Sequence, residues 1–156
     1  MLRAELGPEW PEELTRVEDL YALWRDPDLG ISHTCGKPFV ESLRGSVKLV
    51  GARDYAVPGC PPGFYNSVLV VREGDAAQSL GDCAGYRLAI NGWDSQSGAQ
   101  TVWNTLHGEG ISGAFFGECV VSGAHGASVQ GVATGQADIA AIDQISWRLL
   151  SAHRPE

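Results

Sequence analysis

The sequence of 156 residues contains no apolar run near the roughly 18 residues that a membrane-spanning helix needs. Its first ten residues are acidic and interrupted by Pro8, which is unlike a signal or transit peptide. We therefore expect a soluble chain that carries no targeting segment or has lost one. A cytoplasmic location is compatible with that expectation.

Basic residues are also few, because 11 Lys and Arg stand against 19 Asp and Glu and give a formal net charge of −8. A nucleic-acid-binding surface needs a basic face to replace counterions, and anionic lipid attracts basic segments. The acidic balance argues against both classes of partner. The hydrophobic content of 44% is typical of a globular domain with a buried core.

The sequence has no C-x-x-C pair, which argues against a zinc ribbon and against a thioredoxin-type redox site. Buried free thiols and a bridge between Cys35 and Cys60 are both open interpretations. A metal site built from His33, Cys35, Cys60 and His125 is a minor alternative. We expect no cofactor. The four cysteines lie far apart, at Cys35, Cys60, Cys83 and Cys119.

Hydrophobic patterning predicts alternating strands and helices, most regularly after residue 82. Strand, polar turn and helix in repetition indicate an α/β fold with a parallel sheet and right-handed crossovers. The predicted strands are 29–32, 47–52, 65–71, 85–91, 115–121 and 137–143. The predicted helices are 11–24, 39–43, 99–107 and 129–134.

Two polar, glycine-bearing turns follow consecutive strands and open helices, at 93–98 and 122–128. Ligands of open α/β sheets lie at the carboxyl ends of the strands, where helix N-termini offer unpaired N–H groups and partial positive charge. Neither turn contains Lys or Arg. The pair of turns therefore predicts a site for a small tetrahedral oxyanion rather than for a bulky nucleotide.

Each candidate residue also has a structural interpretation. Ser95 or Ser97 fits a helix N-cap, and His125 fits an ordinary packed histidine. Asp143, at a strand end, fits either a cap of the next helix or an acceptor for a protonated ligand group. Tyr65 and Trp93 fit either core packing or the lining of a crevice.

A catalytic interpretation is weaker. The nucleophile pattern Gly-x-Ser-x-Gly is absent. Ser95, Ser97 or Cys35 would have to be activated by His125, and no spacing supports such a pair. We therefore expect that the protein is not an enzyme.

Seven segments, in order, carry a family resemblance. They are WRDPDL at 24–29, HTCG at 33–36, PGC at 58–60, YNS at 65–67, NGWDSQSG at 91–98, SGAHGAS at 122–128 and GQADIAAID at 135–143. The last three are the most specific in sequence and spacing. With these segments the chain resembles the phosphate/phosphite/phosphonate-type substrate-binding proteins of ABC transporters, which have a type II periplasmic-binding fold.

The resemblance implies two lobes with parallel sheets flanked by helices. Residues 1–81 would form a partial first lobe, 82–143 the second lobe, and 144–156 the start of the crossover back to the first. Members of the family continue at both ends, so the first lobe is expected to be incomplete and a homodimer could cover it. The implied ligand is a small phosphorus oxyanion, and the implied partner an ABC permease at a periplasmic location.

The resemblance also implies the binding residues, which would enclose the anion between the lobes by a hinge motion. Because Asp143 would accept a proton from the ligand, we expect a monoprotonated phosphate or phosphonate. A truncated sensing or interaction module is the main alternative, and an enzyme on the same fold the lesser one. The implied binding residues are Thr34, Tyr65, Ser95, Gln96, Ser97, His125 and Asp143.

Overall fold

A computed structural model describes residues 7, 8, 10 and 13–153. The chain divides into two compact units, with the division between Val50 and Gly51. Among the described residues, no helix is long and apolar enough to cross a membrane.

The first unit contains two short helical segments. Helix α1 spans Leu20–Trp24 and begins where Asp19 accepts a hydrogen bond from the Ala22 N–H at 2.9 Å. Helix α2 spans Gly36–Pro38 and continues as a π-helical turn at Phe39–Leu43. The buried apolar side chains among the described residues of this unit are Trp24, Pro38 and Leu43.

Three expectations for this unit need correction. The predicted helix 11–24 is helical only from Leu20, and residues 11 and 12 lie outside the described residues. The segments 29–32 and 47–52 do not form strands, apart from one isolated bridge between Arg44 and Val47. An extended segment becomes a strand only when a partner strand pairs with it, and patterning cannot supply that partner.

The second unit contains a four-stranded sheet with helices on both faces. The α/β prediction is confirmed. Its elements, in chain order, are β1 Ser67–Val71, a 3₁₀ turn at Leu80–Cys83, β2 Arg87–Ile90, a π-helical turn at Gln96–Gln100 that continues as α3 Thr101–Gly108, β3 Glu118–Val121, α4 His125–Ala133, β4 Ile139–Asp143 and α5 Gln144–His153.

The strand order is β1–β4–β2–β3, with β2 parallel to both β4 and β3. β1 departs from the expected parallel arrangement, because it pairs antiparallel with β4 and places Ser67 opposite Asp143. The crossover pattern that predicts parallel pairing joins only β2, β3 and β4 through helices. β1 thus shares a sheet with residues assigned above to the second lobe, and the lobe boundaries stay a prediction.

Alternating side chains of the two central strands build the core on both faces of the sheet. Leu88 and Ile90 of β2 pack with Val102 and Leu106 of α3 on one face. Ala89 and the β4 residues Ala140 and Ile142 pack with Val132 of α4 on the other. The half-buried Trp147 of α5 joins the second cluster. Both faces of the sheet are therefore covered, and β1 and β3 are its edge strands.

Helix bounds differ from the prediction around the second turn. α4 begins at His125 rather than at 129, because the last residues of the polar turn are already helical. Gly135 follows the end of that helix and has a φ of 77°. This left-handed conformation is common just after a helix end and favours glycine. Helix α5 was not assigned from the sequence.

An ion-pair cluster ties together the edge of the sheet where the parallel strands begin. Asp138 lies 2.8 Å from Arg87 and 3.1 Å from Arg72, and it also accepts from the Arg87 N–H at 2.9 Å. Hydrogen bonds and charge from Arg87, with a smaller contribution from Arg72, hold the pKa of Asp138 well below its usual range. This cluster joins β1, β2 and the loop before β4.

Candidate functional site

The site lies at the edge of the sheet where the three parallel strands end. Helices begin directly after β2, β3 and β4, at Gln96, His125 and Gln144. The antiparallel strand β1 starts at this same edge, since Ser67 pairs with Asp143. The topology therefore brings four chain segments and three helix N-termini to one place.

The helix after β2 is capped by Ser95. Its hydroxyl accepts a hydrogen bond from the Gly98 N–H at 3.0 Å, and the side chain is buried. The N-cap interpretation is correct for Ser95. Gly98 has no room for a side chain, because a Cβ there would collide with Oδ1 of Asn91. The first helix start is thus fixed by close packing.

Ser97 and His125 join the two predicted turns. Ser97 is 2% exposed, and its Oγ lies 3.1 Å from Nε2 of His125, the first residue of α4. The two residues are 28 positions apart in sequence. This contact brings the two polar turns together, and the anion site that they predict stays a prediction.

Asp143 has two partners at the end of β4. Its Oδ1 accepts a hydrogen bond from the Ser146 N–H at 2.8 Å, so it caps α5. Its Oδ2 lies 3.2 Å from Nε2 of His125. The cap interpretation of Asp143 is therefore correct, and its role as an acceptor for a protonated ligand group stays a prediction.

Nε2 of His125 contacts both Ser97 and Asp143, and these contacts determine which ring nitrogen carries the hydrogen of the neutral imidazole. A lone pair on Nε2 would face the Asp143 carboxylate at 3.2 Å, which is repulsive, so Nε2 carries the hydrogen. Nε2 then cannot accept the proton of the Ser97 hydroxyl. In a catalytic serine triad the two partners occupy different ring nitrogens. In this geometry His125 does not activate Ser97 as a nucleophile.

The imidazole lies in a partly desolvated place, with its side chain 16% exposed. Burial lowers the pKa of His125 from its ordinary value, while Asp143 and the backbone of Ala141 act in the opposite direction. Its other ring nitrogen, Nδ1, is buried.

Helix α4 offers a second set of donors. Its N-cap residue, Ala124, makes no side-chain capping hydrogen bond to the first-turn N–H groups, which begin at His125. The segments 91–98 and 122–128 contain no Lys or Arg. The donors at this edge are therefore backbone N–H groups, a hydroxyl and an imidazole, together with the positive ends of helix dipoles.

The remaining predicted residues lie in different settings. Gln96 is half-buried and is the first residue of the helical segment after β2. Tyr65 is 37% exposed and precedes β1, where the neighbouring Asn66 carbonyl accepts from the Gln144 N–H at 3.0 Å. Thr34 belongs to the first unit, and its Oγ1 lies 3.4 Å from the Cys35 carbonyl.

Trp93 is 52% exposed, so core packing is the wrong interpretation for it. Its ring centroid lies 6.1 Å from that of Trp103.

Two residues of the site were missed by sequence analysis. The hydroxyl of Ser67 donates to the Ser97 carbonyl at 2.9 Å, and Thr101 Oγ1 donates to the same oxygen at 2.8 Å. They hold the backbone of Ser97 from β1 and from α3. A hydroxyl at the first position of an apolar strand was the available signal for Ser67.

Ser122 and Ser128 form a separate contact in the second turn. Their hydroxyls are 2.6 Å apart, and Ser122 also donates to the Ile90 carbonyl at 3.1 Å. Ser128 is fully buried. These two serines stabilise the turn that presents His125.

All four cysteines are free thiols, so the Cys35–Cys60 bridge is not formed. Within the described part of the chain, no group of three or more His, Cys, Asp or Glu side chains could hold a metal ion. The alternative metal site is not assembled.

The model of one protein family matches residues 18–156, and its description is ABC transporter, phosphonate, periplasmic substrate-binding protein. The chain belongs to this family. The resemblance identified from the sequence is therefore confirmed, and the family is one of transporter binding components and not of enzymes. The comparison with curated proteins gave no match.

Proposed function

We propose that this chain binds a small phosphorus oxyanion at the carboxyl edge of the sheet, as the binding component of an ABC transporter. The observation that carries the proposal is the hydrogen bond between Ser97 and His125, which unites two helix starts at one site. The family match supports the ligand class. Delivery to a permease and a periplasmic location follow from the same match as parts of the proposal.

The donor set suits a tetrahedral oxyanion. The first turn of α4 presents N–H groups without a side-chain cap, and Ser97 and His125 add a hydroxyl and an imidazole beside it. Several short donors that converge from different directions fit oxygens arranged around one phosphorus atom. Gln96 and Tyr65 complete the proposed set from this unit.

Asp143 sets the protonation state of the ligand in this proposal. An ionised ligand oxygen facing its carboxylate would be repelled, whereas a protonated oxygen would donate a hydrogen bond. The ligand is therefore a monoprotonated phosphate, phosphite or phosphonate. Closure of two lobes on the anion would be favoured by the ligand itself, because only the closed form offers all donors.

Isothermal titration calorimetry tests the proposal with phosphate, phosphite, methylphosphonate and 2-aminoethylphosphonate, and with sulfate as the anion that lacks the proton. We expect saturable one-to-one binding of a phosphorus compound and no binding of sulfate. Ser97→Ala should weaken binding, whereas Ser112→Ala, at an exposed serine outside the site, should not.

Two results would contradict this proposal or its site. A folded sample that gives no heat with any of the four phosphorus compounds would overturn the proposal and favour a sensing or interaction module. Equal affinity of the Ser97 and Ser112 variants would place the anion elsewhere in the protein.

A further inference from the structure

The charged side chains other than His125 in the segments around it are all acidic. The segments that the topology brings to this edge, 65–67, 91–98, 122–128 and 143–147, contain no Lys or Arg. They contain two carboxylates, Asp94 and Asp143, and Asp143 lies 3.2 Å from the imidazole. With a neutral His125, these four segments would offer an incoming anion negative charges and no positive side chain.

The charged groups of the neighbouring elements do not alter this charge balance. α4 packs against β1, β2, β4 and α5. Arg87 begins β2, and Asp138 precedes β4, so both lie at the opposite edge of the sheet in their own ion pair. Arg148 of α5 is exposed. Asp143 is the one charged side chain among the described residues that acts on His125.

From this arrangement we infer that binding of the phosphorus oxyanion is coupled to the uptake of one proton by His125. The inference rests on the proposed function and adds a proton to its stoichiometry. The empty protein, the anion and one proton from solvent give a complex in which the imidazolium lies beside the anion. One N–H bond forms, and no other covalent bond changes.

The geometry assigns the position of the added proton. Nε2 already carries a hydrogen toward Asp143, so the second proton goes to the other ring nitrogen, Nδ1. A hydrogen bond to the backbone of Ala141 favours the charged ring. Burial lowers the pKa of His125 in the empty protein and therefore favours the neutral ring near neutral pH. A bound anion acts in the opposite direction, and this difference between the two states is what produces proton uptake.

Calorimetry in pairs of buffers with different ionisation enthalpies measures this uptake directly. The probe is whichever of methylphosphonate, phosphite and phosphate binds most tightly. We expect net uptake approaching one proton per anion near pH 7. The affinity should fall by up to tenfold per pH unit as the pH rises between the values at which free and bound His125 titrate.

Two variants distinguish proton uptake by His125 from proton uptake by the ligand itself. His125→Gln should lose the histidine contribution to proton uptake, whereas His107→Gln, at an exposed histidine near the end of α3, should retain it. If His125→Gln does not bind, histidine NMR of the wild-type protein decides. The His125 resonance should report a neutral ring in the empty protein and a charged ring in the complex at pH 7.

Each outcome is decisive. Binding with the same proton uptake in the wild type and in His125→Gln would overturn this inference and leave the proposed function intact. An unchanged His125 resonance on binding would do the same. Absence of binding by any of the three anions would remove the proposed function, and the coupling with it.

Discussion

The hydroxyl of Ser67 donates a hydrogen bond to the carbonyl of Ser97 at 2.9 Å, although the two serines are 30 residues apart. Ser67 begins β1, and Ser97 lies in the first turn of the helical segment after β2. The antiparallel strand therefore does more than extend the sheet, because it holds the backbone of a residue whose side chain faces His125.

Replacement of Ser67 by Ala should weaken anion binding without unfolding the protein. The Ser97 carbonyl keeps its bond from Thr101, so the helix start remains but loses one of its two supports. We expect a loss of about 0.5–1.5 kcal/mol in binding free energy, measured by calorimetry, as for one neutral hydrogen bond. An affinity equal to that of the Ser112→Ala control would show that this bond plays no part in binding.

Replacement of Asp143 by Asn should separate its two tasks. Asn caps helices about as well as Asp, so the cap of α5 and the melting temperature should be nearly unchanged. The amide carries no negative charge toward the site, so the preference for a monoprotonated ligand should relax. Affinities for phosphate and methylphosphonate across pH 5 to 8 measure this change.

The matched variant Asp143→Ala removes the cap as well and should cost about 1 kcal/mol of stability in denaturant unfolding. If Asp143→Asn keeps the wild-type ligand profile over the whole pH range, Asp143 has a structural role only.

Replacement of Gly98 by Ala should disrupt the helix start after β2. The added methyl group would collide with Oδ1 of Asn91, so one of the two must move. We expect a loss of about 1–3 kcal/mol in unfolding free energy, as for other overpacked buried sites, together with weaker anion binding.

Gly108→Ala is the matched control, since a Cβ at the end of α3 meets nothing within 4 Å and alanine favours the helix. The double variant Asn91→Ala, Gly98→Ala should recover part of the lost stability. No recovery would mean that the collision with Asn91 is not the cause.

The site was predictable where local sequence determines it. The polar turns at 93–98 and 122–128 each follow an apolar strand, and that pattern alone predicts that Ser97 and His125 lie at the carboxyl ends of the strands. The support from Ser67 was not predictable in this way. It depends on the pairing of β1 with β4, which joins residues far apart in the chain, and the hydroxyl of Ser67 alone does not reveal that pairing.

In the first unit, local sequence predicts strands that do not form. The apolar segments 29–32 and 47–52 have strand-like composition and form no strands, because strand formation depends on partners that composition does not reveal. The antiparallel direction of β1 was missed for a related reason. Hydrophobic patterning identifies a strand but does not give its direction, and β1 has no helical crossover that would specify it.

Replacement of Asp138 by Asn should lower stability at neutral pH and remove part of its acid dependence. The pKa of Asp138 is lowered in the folded protein by Arg87 and Arg72, so the folded state favours the carboxylate more than the unfolded state does. That stabilisation is fully present above the unfolded pKa of about 4 and is lost as the pH falls below it. Urea unfolding at pH 7 should show a loss of about 1–2 kcal/mol in the free energy of unfolding, since the arginines are more than one third exposed and partly screened.

Between pH 5 and 2.5 the wild type should lose stability more steeply than Asp138→Asn. The control Glu73→Gln, which removes the same charge at an exposed position, should follow the wild type. Equal slopes for the wild type and Asp138→Asn would show that this cluster does not contribute to acid unfolding.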